Sequence, residues 1–78
     1  MSTIERINRC LIDIGSSTAR HEEQKFREDL GLESIECLEL AIALEDEFGF
    51  EIPEEVYDNG QLTTVKQAIE YLDKRLAE

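Results

Sequence analysis

The amino-acid sequence predicts an all-α fold, a small four-helix bundle of three main helices and one short helix with a long first loop. Apolar residues recur at helical spacing in three stretches of the 78-residue chain. Two of these stretches open with Ser or Thr followed three residues later by Glu or Gln, which is the spacing of a capping box. No run alternates convincingly at period two, as a half-buried strand would. Residues 1–78 are long enough for one domain with one core.

The first helix begins after Ser2, which has the capping-box spacing with Glu5. Gly15 is expected to end this helix. Its apolar stripe consists of Ile4, Ile7, Leu11 and Ile14.

A long connection follows at residues 15–33. Structureless loops of this length are uncommon inside small domains, so we expect it to be pinned to the bundle. Phe26 and Leu30 are the large apolar residues expected to anchor it.

The second helix is predicted from Ser34 to Phe48, and Gly49 stops it. Pro53 suits the entry to a short helix, residues 54–58. Asn59-Gly60 marks a turn. Thr64 and Gln67 have capping-box spacing and open the last helix. Its apolar stripe consists of Val65, Ala68, Ile69, Leu72 and Leu76.

The net charge of −11 excludes some partners. Nucleic acid is bound by clustered cations, and anionic lipid repels an acidic surface, so neither nucleic acid nor a stable membrane contact is expected. No apolar run approaches the roughly 20 residues of a membrane span, and the N-terminus lacks a secretion-signal pattern. Cys10 and Cys37 have no metal-type spacing and are expected to be reduced, which favours a cytoplasmic location. Dense like charge also favours a monomer.

The charge is concentrated in the middle of the chain. Between Glu28 and Val65 there are twelve acidic residues and no Lys or Arg, whereas the other forty residues hold seven acids and eight bases. Such a run is either a solvated face or a recognition surface. Because apolar residues are threaded through it, we expect the segment to fold.

The second helix carries two apolar arcs. The wider arc faces the core and consists of Cys37, Leu40, Ala41, Leu44 and Phe48. The second arc is Ile35, Leu38 and Ile42, which either packs under the loop or short helix, or forms an exposed stripe bordered by carboxylates. Periodicity alone favours burial.

Residues 29–40, Asp-Leu-Gly-Leu-Glu-Ser-Ile-Glu-Cys-Leu-Glu-Leu, resemble the signature of the acyl carrier protein family. In that family Asp-Leu-Gly precedes Asp-Ser-Leu at the head of the second helix. The likeness continues through Ala43-Leu44-Glu45-Asp46-Glu47-Phe48, Glu51-Ile52-Pro53 and Thr63-Thr64-Val65, and Phe26 matches the family's aromatic eight residues before the serine.

The resemblance implies a carrier, with Ser34 as the site of attachment. A holo-synthase, or phosphopantetheinyl transferase, would transfer 4'-phosphopantetheine from coenzyme A to the Ser34 hydroxyl, and acyl groups would ride on the terminal thiol as thioesters. A serine opening a helix also places a phosphate near unpaired amides and the positive dipole end. The alternative is that Ser34 only caps the helix.

The resemblance also reverses the preference for burial of the second arc. It implies that Ile35, Leu38 and Ile42 contact partner enzymes, with Ile52 nearby. The charges that would meet basic patches on those enzymes are Glu33, Glu36, Glu39, Glu45 and Asp46.

Two departures from the family pattern stand out. Glu33-Ser34-Ile35 replaces Asp-Ser-Leu, and residues 56–62 are one residue longer than common forms. We therefore expect a specialised carrier in fatty acid, lipid or polyketide biosynthesis, and not the housekeeping one.

Three other functions are alternatives. Independent catalysis is disfavoured because His21 is the only histidine and no nucleophile is placed beside it. No segment has the spacing of a calcium-binding loop. An aminoacyl or peptidyl carrier would share the attachment serine. An unmodified acidic interaction module would share the surface and make Ser34 dispensable.

Overall fold

The computed structural model describes residues 1–58 and 62–78, with only the backbone at residues 57 and 58. Its helices are α1 (Thr3–Asp13), α2 (Ser34–Phe48), α3 (Glu54–Asp58) and α4 (Val65–Ala77). The predicted bundle of three main helices and one short helix is confirmed. The predicted Asn59-Gly60 turn lies outside the described residues, as does part of the lengthened stretch at 56–62. Within the described part of the chain, no helix is long and apolar enough to cross a membrane.

The helix ends follow the local sequence. Both predicted capping boxes form, since the Ser2 and Thr64 hydroxyls accept from the backbone of Glu5 and Gln67, whose side chains accept in return. Gly49 ends α2 in the left-handed conformation at φ 80°, which glycine adopts without a Cβ clash. These residues therefore set where the helices start and stop through contacts close in sequence.

The core lies between α1, α2 and α4. The wider arc of α2 faces it as predicted, with Leu40, Ala41, Leu44 and Phe48 buried and Cys37 partly buried. Opposite them, the side chains with no exposed surface are Ile7 and Leu11 of α1 and Val65, Ala68 and Leu72 of α4. Burying large aliphatic side chains contributes about 1.5–3 kcal/mol each, so these helices hold the bundle together.

The first loop is pinned, as predicted, but by more residues than the two expected anchors. Phe26 is buried and Leu30 partly buried, and Leu32 and Ala19 join them in the core. The Ala19 N–H donates to Asn8 Oδ1 at 2.8 Å, and Asn8 Nδ2 donates to the Ala19 carbonyl at 3.2 Å. One side chain of α1 thus satisfies both backbone groups of a buried loop residue.

The second half of the loop pairs with the segment that leads into α4. Phe26 N–H donates to the Thr63 carbonyl at 3.1 Å, and Val65 N–H donates to the Gln24 carbonyl at 2.9 Å. These bonds hold the loop against the start of α4, on the side where α2 begins.

Two arginines from outside the acidic segment hold the C-terminal end of α2. The Arg6 guanidinium lies 4.1 Å from the Phe48 ring centroid and donates to the Glu47 carboxylate at 2.9 Å and to the Glu47 carbonyl at 2.9 Å. Arg75 lies 4.4 Å from the Phe50 ring centroid and donates to the Glu51 carbonyl. Cations on aromatic faces are attracted by the ring quadrupole. Arg6 therefore joins α1 to α2, and Arg75 joins α4 to the segment that follows α2.

Cys10 packs in the core between α1 and α2, with its Sγ 3.5 Å from the Ala43 carbonyl oxygen. Both cysteines are free, as predicted. Burial raises the pKa of the Cys10 thiol to about 11, and the negative charges of Glu47 and Asp13 act in the same direction. Folding therefore favours the protonated Cys10 thiol over the thiolate.

Replacing Arg6 should destabilise the bundle. Arg6→Gln removes the ring contact and the charged hydrogen bonds to Glu47, so the free energy of unfolding should fall by about 1–3 kcal/mol. Arg9→Gln on the same helix is the matched control, because Arg9 is exposed and its guanidinium reaches only the exposed Met1 sulfur. Urea unfolding measures both variants. Equal losses would show that net charge, and not the Arg6 contacts, sets the effect.

The Cys10 thiol should make stability depend on pH in alkali. Its pKa is raised by folding, so its contribution to stability is fully present below about pH 9, the ordinary thiol value, and is lost as pH rises toward 11. Relative to Cys10→Ala, the wild-type protein should lose about 2 kcal/mol of unfolding free energy between pH 8 and pH 11. Urea midpoints of the two proteins across this range test it, and parallel curves would contradict it.

Candidate functional site

Ser34 is the first helical residue of α2, and the residue before it caps the helix. Glu33 has the extended N-cap backbone, with φ −83° and ψ 168°, and its N–H donates to Glu36 Oε1 at 3.0 Å. Ser34 is exposed, and its hydroxyl makes no hydrogen bond to any described residue. Glu33, and not Ser34, therefore serves as the cap, and the Ser34 hydroxyl is left available beside the positive end of the helix dipole.

A cavity of about 410 Å³ adjoins Ser34. It lies between the pinned loop, α2 and the start of α4. The lining residues that form its apolar wall are Phe26, Cys37, Leu40, Ala41, Leu44, Leu62 and Ala68. Since Ser34 both lines the cavity and is exposed, it lies where the cavity meets solvent.

Cys37 is one turn of α2 beyond Ser34 and lines the same cavity. Burial raises the pKa of its thiol, while the positive charge of Arg27 acts in the opposite direction. A protonated thiol is a poor nucleophile, so Cys37 acts as part of the wall.

The second apolar arc of α2 is exposed. The exposed fractions are 61% for Ile35, 50% for Leu38 and 53% for Ile42. The burial that periodicity alone favours is therefore wrong, and the exposure that the resemblance implies is confirmed. Neither the loop nor α3 covers these side chains, because α2 turns its wider arc, and not this one, toward the core.

The acids expected beside this stripe differ in their surroundings. Glu33, Glu39 and Asp46 are exposed, and Glu39 and Asp46 make no ion pair within the described residues. The other two carboxylates accept hydrogen bonds: Glu36 from Glu33 N–H, and Glu45 from Ile52 N–H at 2.7 Å. Glu36 and Glu45 therefore also hold the two ends of α2.

Ile52 does not lie on the surface where the sequence placed it. Its side chain is 4% exposed and belongs to the core. The hydrogen bond from its N–H to Glu45 draws the chain after α2 back against the helix, which turns the side chain inward. Ile52 is therefore not available for the proposed contact with partner enzymes.

The structure adds two features that the sequence reading missed. Leu40, Ala41 and Leu44 face the core, as predicted, and also line the cavity. Arg27, to which the sequence motifs do not point, lines the same cavity as Ser34. The sequence feature that could have pointed to Arg27 is its position as the last cation before the acidic segment.

Comparison with known protein families agrees with this geometry. Residues 5–72 match the family model described as a phosphopantetheine attachment site. The matched region contains α2, the cavity and most of the bundle, and so covers well over half of the chain.

Proposed function

The chain belongs to the family of proteins with a phosphopantetheine attachment site, and we propose that it is an acyl carrier protein whose arm is attached to Ser34. Proteins of this family carry 4'-phosphopantetheine covalently and are generally carriers, not catalysts. The group supplies a terminal thiol that holds cargo as a thioester. The single observation that supports Ser34 is its exposed, unengaged hydroxyl at the head of α2.

The first turn of α2 fits a phosphodiester at this position. The first N–H groups of a helix have no partners within it, and they point toward an anion at the N-terminus. The Ser34 oxygen would form the phosphoester bond by displacing the rest of coenzyme A. The transferase would supply the catalytic groups, and this chain would supply the hydroxyl and the surface.

The cavity supports an acyl cargo over an aminoacyl one. Seven apolar side chains, most of them buried, line it, and the charged residues Lys25, Arg27 and Glu28 line it as well. Each methylene moved from water against these apolar side chains contributes about 0.8 kcal/mol, so a long acyl chain gains more from this space than a short aminoacyl group. We expect the cavity to shelter the acyl chain while the carrier moves from one enzyme to the next.

The exposed stripe of Ile35, Leu38 and Ile42, with the carboxylates beside it, supports a docking role. Basic patches on the transferase and on acyl-processing enzymes would meet Glu39 and Asp46, and the stripe would supply apolar contacts. Charge steering speeds encounter without requiring tight binding, which suits a carrier that must leave each enzyme.

The departure at Glu33 and Ile35 supports a specialised role within fatty acid, lipid or polyketide biosynthesis. Both residues flank the attachment hydroxyl and are exposed, so a transferase would meet them directly. The β-branched Ile35 is stiffer than the family's Leu, and Glu33 is longer than its Asp.

Loading of the arm tests the attachment site. With coenzyme A and a broad-specificity transferase, the apo protein should gain the mass of one phosphopantetheine, and Ser34→Ala should gain none. Ser17→Ala is the matched control, because Ser17 is an exposed loop serine, and it should load like the wild type. Intact-mass spectrometry gives the readout. Absence of loading with several transferases would favour the unmodified interaction module.

Reversing the free carboxylates tests the docking surface. Glu39→Lys with Asp46→Lys should lower kcat/KM for loading on the order of tenfold at low salt. Added salt should reduce this difference in kcat/KM between the variant and the wild type. Glu22→Lys with Glu23→Lys makes the same charge change on the loop and should have a smaller effect. Helicity by circular dichroism should be unchanged in both. Equal effects of the two pairs would argue against a specific surface.

A further inference from the structure

Arg27 lines two concavities together with the attachment serine. It lines the 410 Å³ cavity together with Ser34, and it also lines a shallow groove that Ser34 shares with Glu33 and Ile35. Arg27, Glu28 and Ser34 line both concavities, so Arg27 belongs to the region where the two join. No other Lys or Arg lines both of them.

The charge of Arg27 is uncommitted. Arg27 is exposed and makes no hydrogen bond or ion pair with any described residue. Its neighbour Lys25, which also lines the cavity, is already paired with Glu28 at 3.3 Å. Arg27 is therefore the cation at this site that is free to meet an added anion.

The influence of Arg27 reaches the first turn of α2. Burial is the main cause of the raised pKa of the Cys37 thiol, and the positive charge of Arg27 opposes that rise more than any other group does. Cys37 is one turn from Ser34 on the same helix, so this guanidinium lies within Coulombic range of the residue that would bear the phosphate.

We propose that Arg27 is a positioning residue that pairs with the phosphodiester on Ser34 and holds the base of the arm at the mouth of the cavity. This inference rests on the proposed attachment at Ser34. An arginine fork suits phosphate oxygens, and one is needed here because the phosphate adds negative charge beside Glu33 and Glu36. The pairing offsets that repulsion and directs the arm toward the cavity, away from the acidic face of α2.

The test compares apo and holo forms of the wild type, Arg27→Gln and the control Arg20→Gln. Arg20 is exposed in the same loop and lines neither concavity, so the control makes the same charge change away from Ser34. For each protein the Tm of the apo form is subtracted from that of the holo form at low salt. This difference should fall by about 1–6 °C in Arg27→Gln and stay unchanged in Arg20→Gln.

Two further measurements make the local contact visible. High salt should remove the gap between wild type and Arg27→Gln, because the Debye length shrinks to about 3 Å at 1 M. The ³¹P resonance of the holo protein should move in Arg27→Gln and return part of the way in Arg27→Lys, which restores the charge without the fork. Arg20→Gln should leave this resonance in place.

The outcomes separate the two proposals. If mass spectrometry shows no phosphopantetheine on Ser34, the proposed function fails and the role of Arg27 fails with it. If the arm attaches but both Gln variants change the Tm difference equally, or neither moves the ³¹P resonance, only the role of Arg27 is overturned. A selective effect of Arg27→Gln on both readouts supports it.

Discussion

The structure depends on how twelve carboxylates between residues 28 and 65, with no Lys or Arg among them, are kept in one compact bundle. Lys25 of the first loop pairs with Glu28, and two cations of the flanking helices reach the C-terminal end of α2. Arg6 of α1 and Arg75 of α4 stack on Phe48 and Phe50 at the end of α2 and bind backbone carbonyls there. Arg6 also pairs with the Glu47 carboxylate at 2.9 Å. The acidic segment is thus tied to the rest of the fold at its most crowded end.

This arrangement divides the acids of α2 by purpose. Glu36, Glu45 and Glu47 accept hydrogen bonds that fix the two ends of the helix. Glu39 and Asp46 are exposed beside the apolar stripe and pair with no described cation. The carboxylates that stabilise the helix ends and those of the proposed recognition surface are therefore different residues of one helix. A change to a recognition acid should leave the bundle intact, which is what allows such a surface to diverge toward particular partners.

The sequence was sufficient for the features that local chemistry decides. Capping residues and apolar spacing gave the helices, since both act within a few residues of each other along the chain. Long-range geometry was not available in the same way. The bond between Asn8 and Ala19 and the inward turn of Ile52 depend on tertiary packing. Periodicity also cannot distinguish a helix buried on two sides from one with an exposed stripe, and only the family resemblance pointed to the second at Ile35, Leu38 and Ile42.

The head of α2 shows why the departure from the family pattern is compatible with the proposed function. Capping and the proposed attachment fall to adjacent residues, because Glu33 takes the N-cap conformation and its N–H donates to the Glu36 carboxylate. A serine needed as a cap would have its oxygen engaged by the helix, whereas Ser34 is relieved of that task. The cost is a second carboxylate close to the hydroxyl, in a region that already lacks cations. Arg27, one step before the acidic segment begins, is placed to offset that charge.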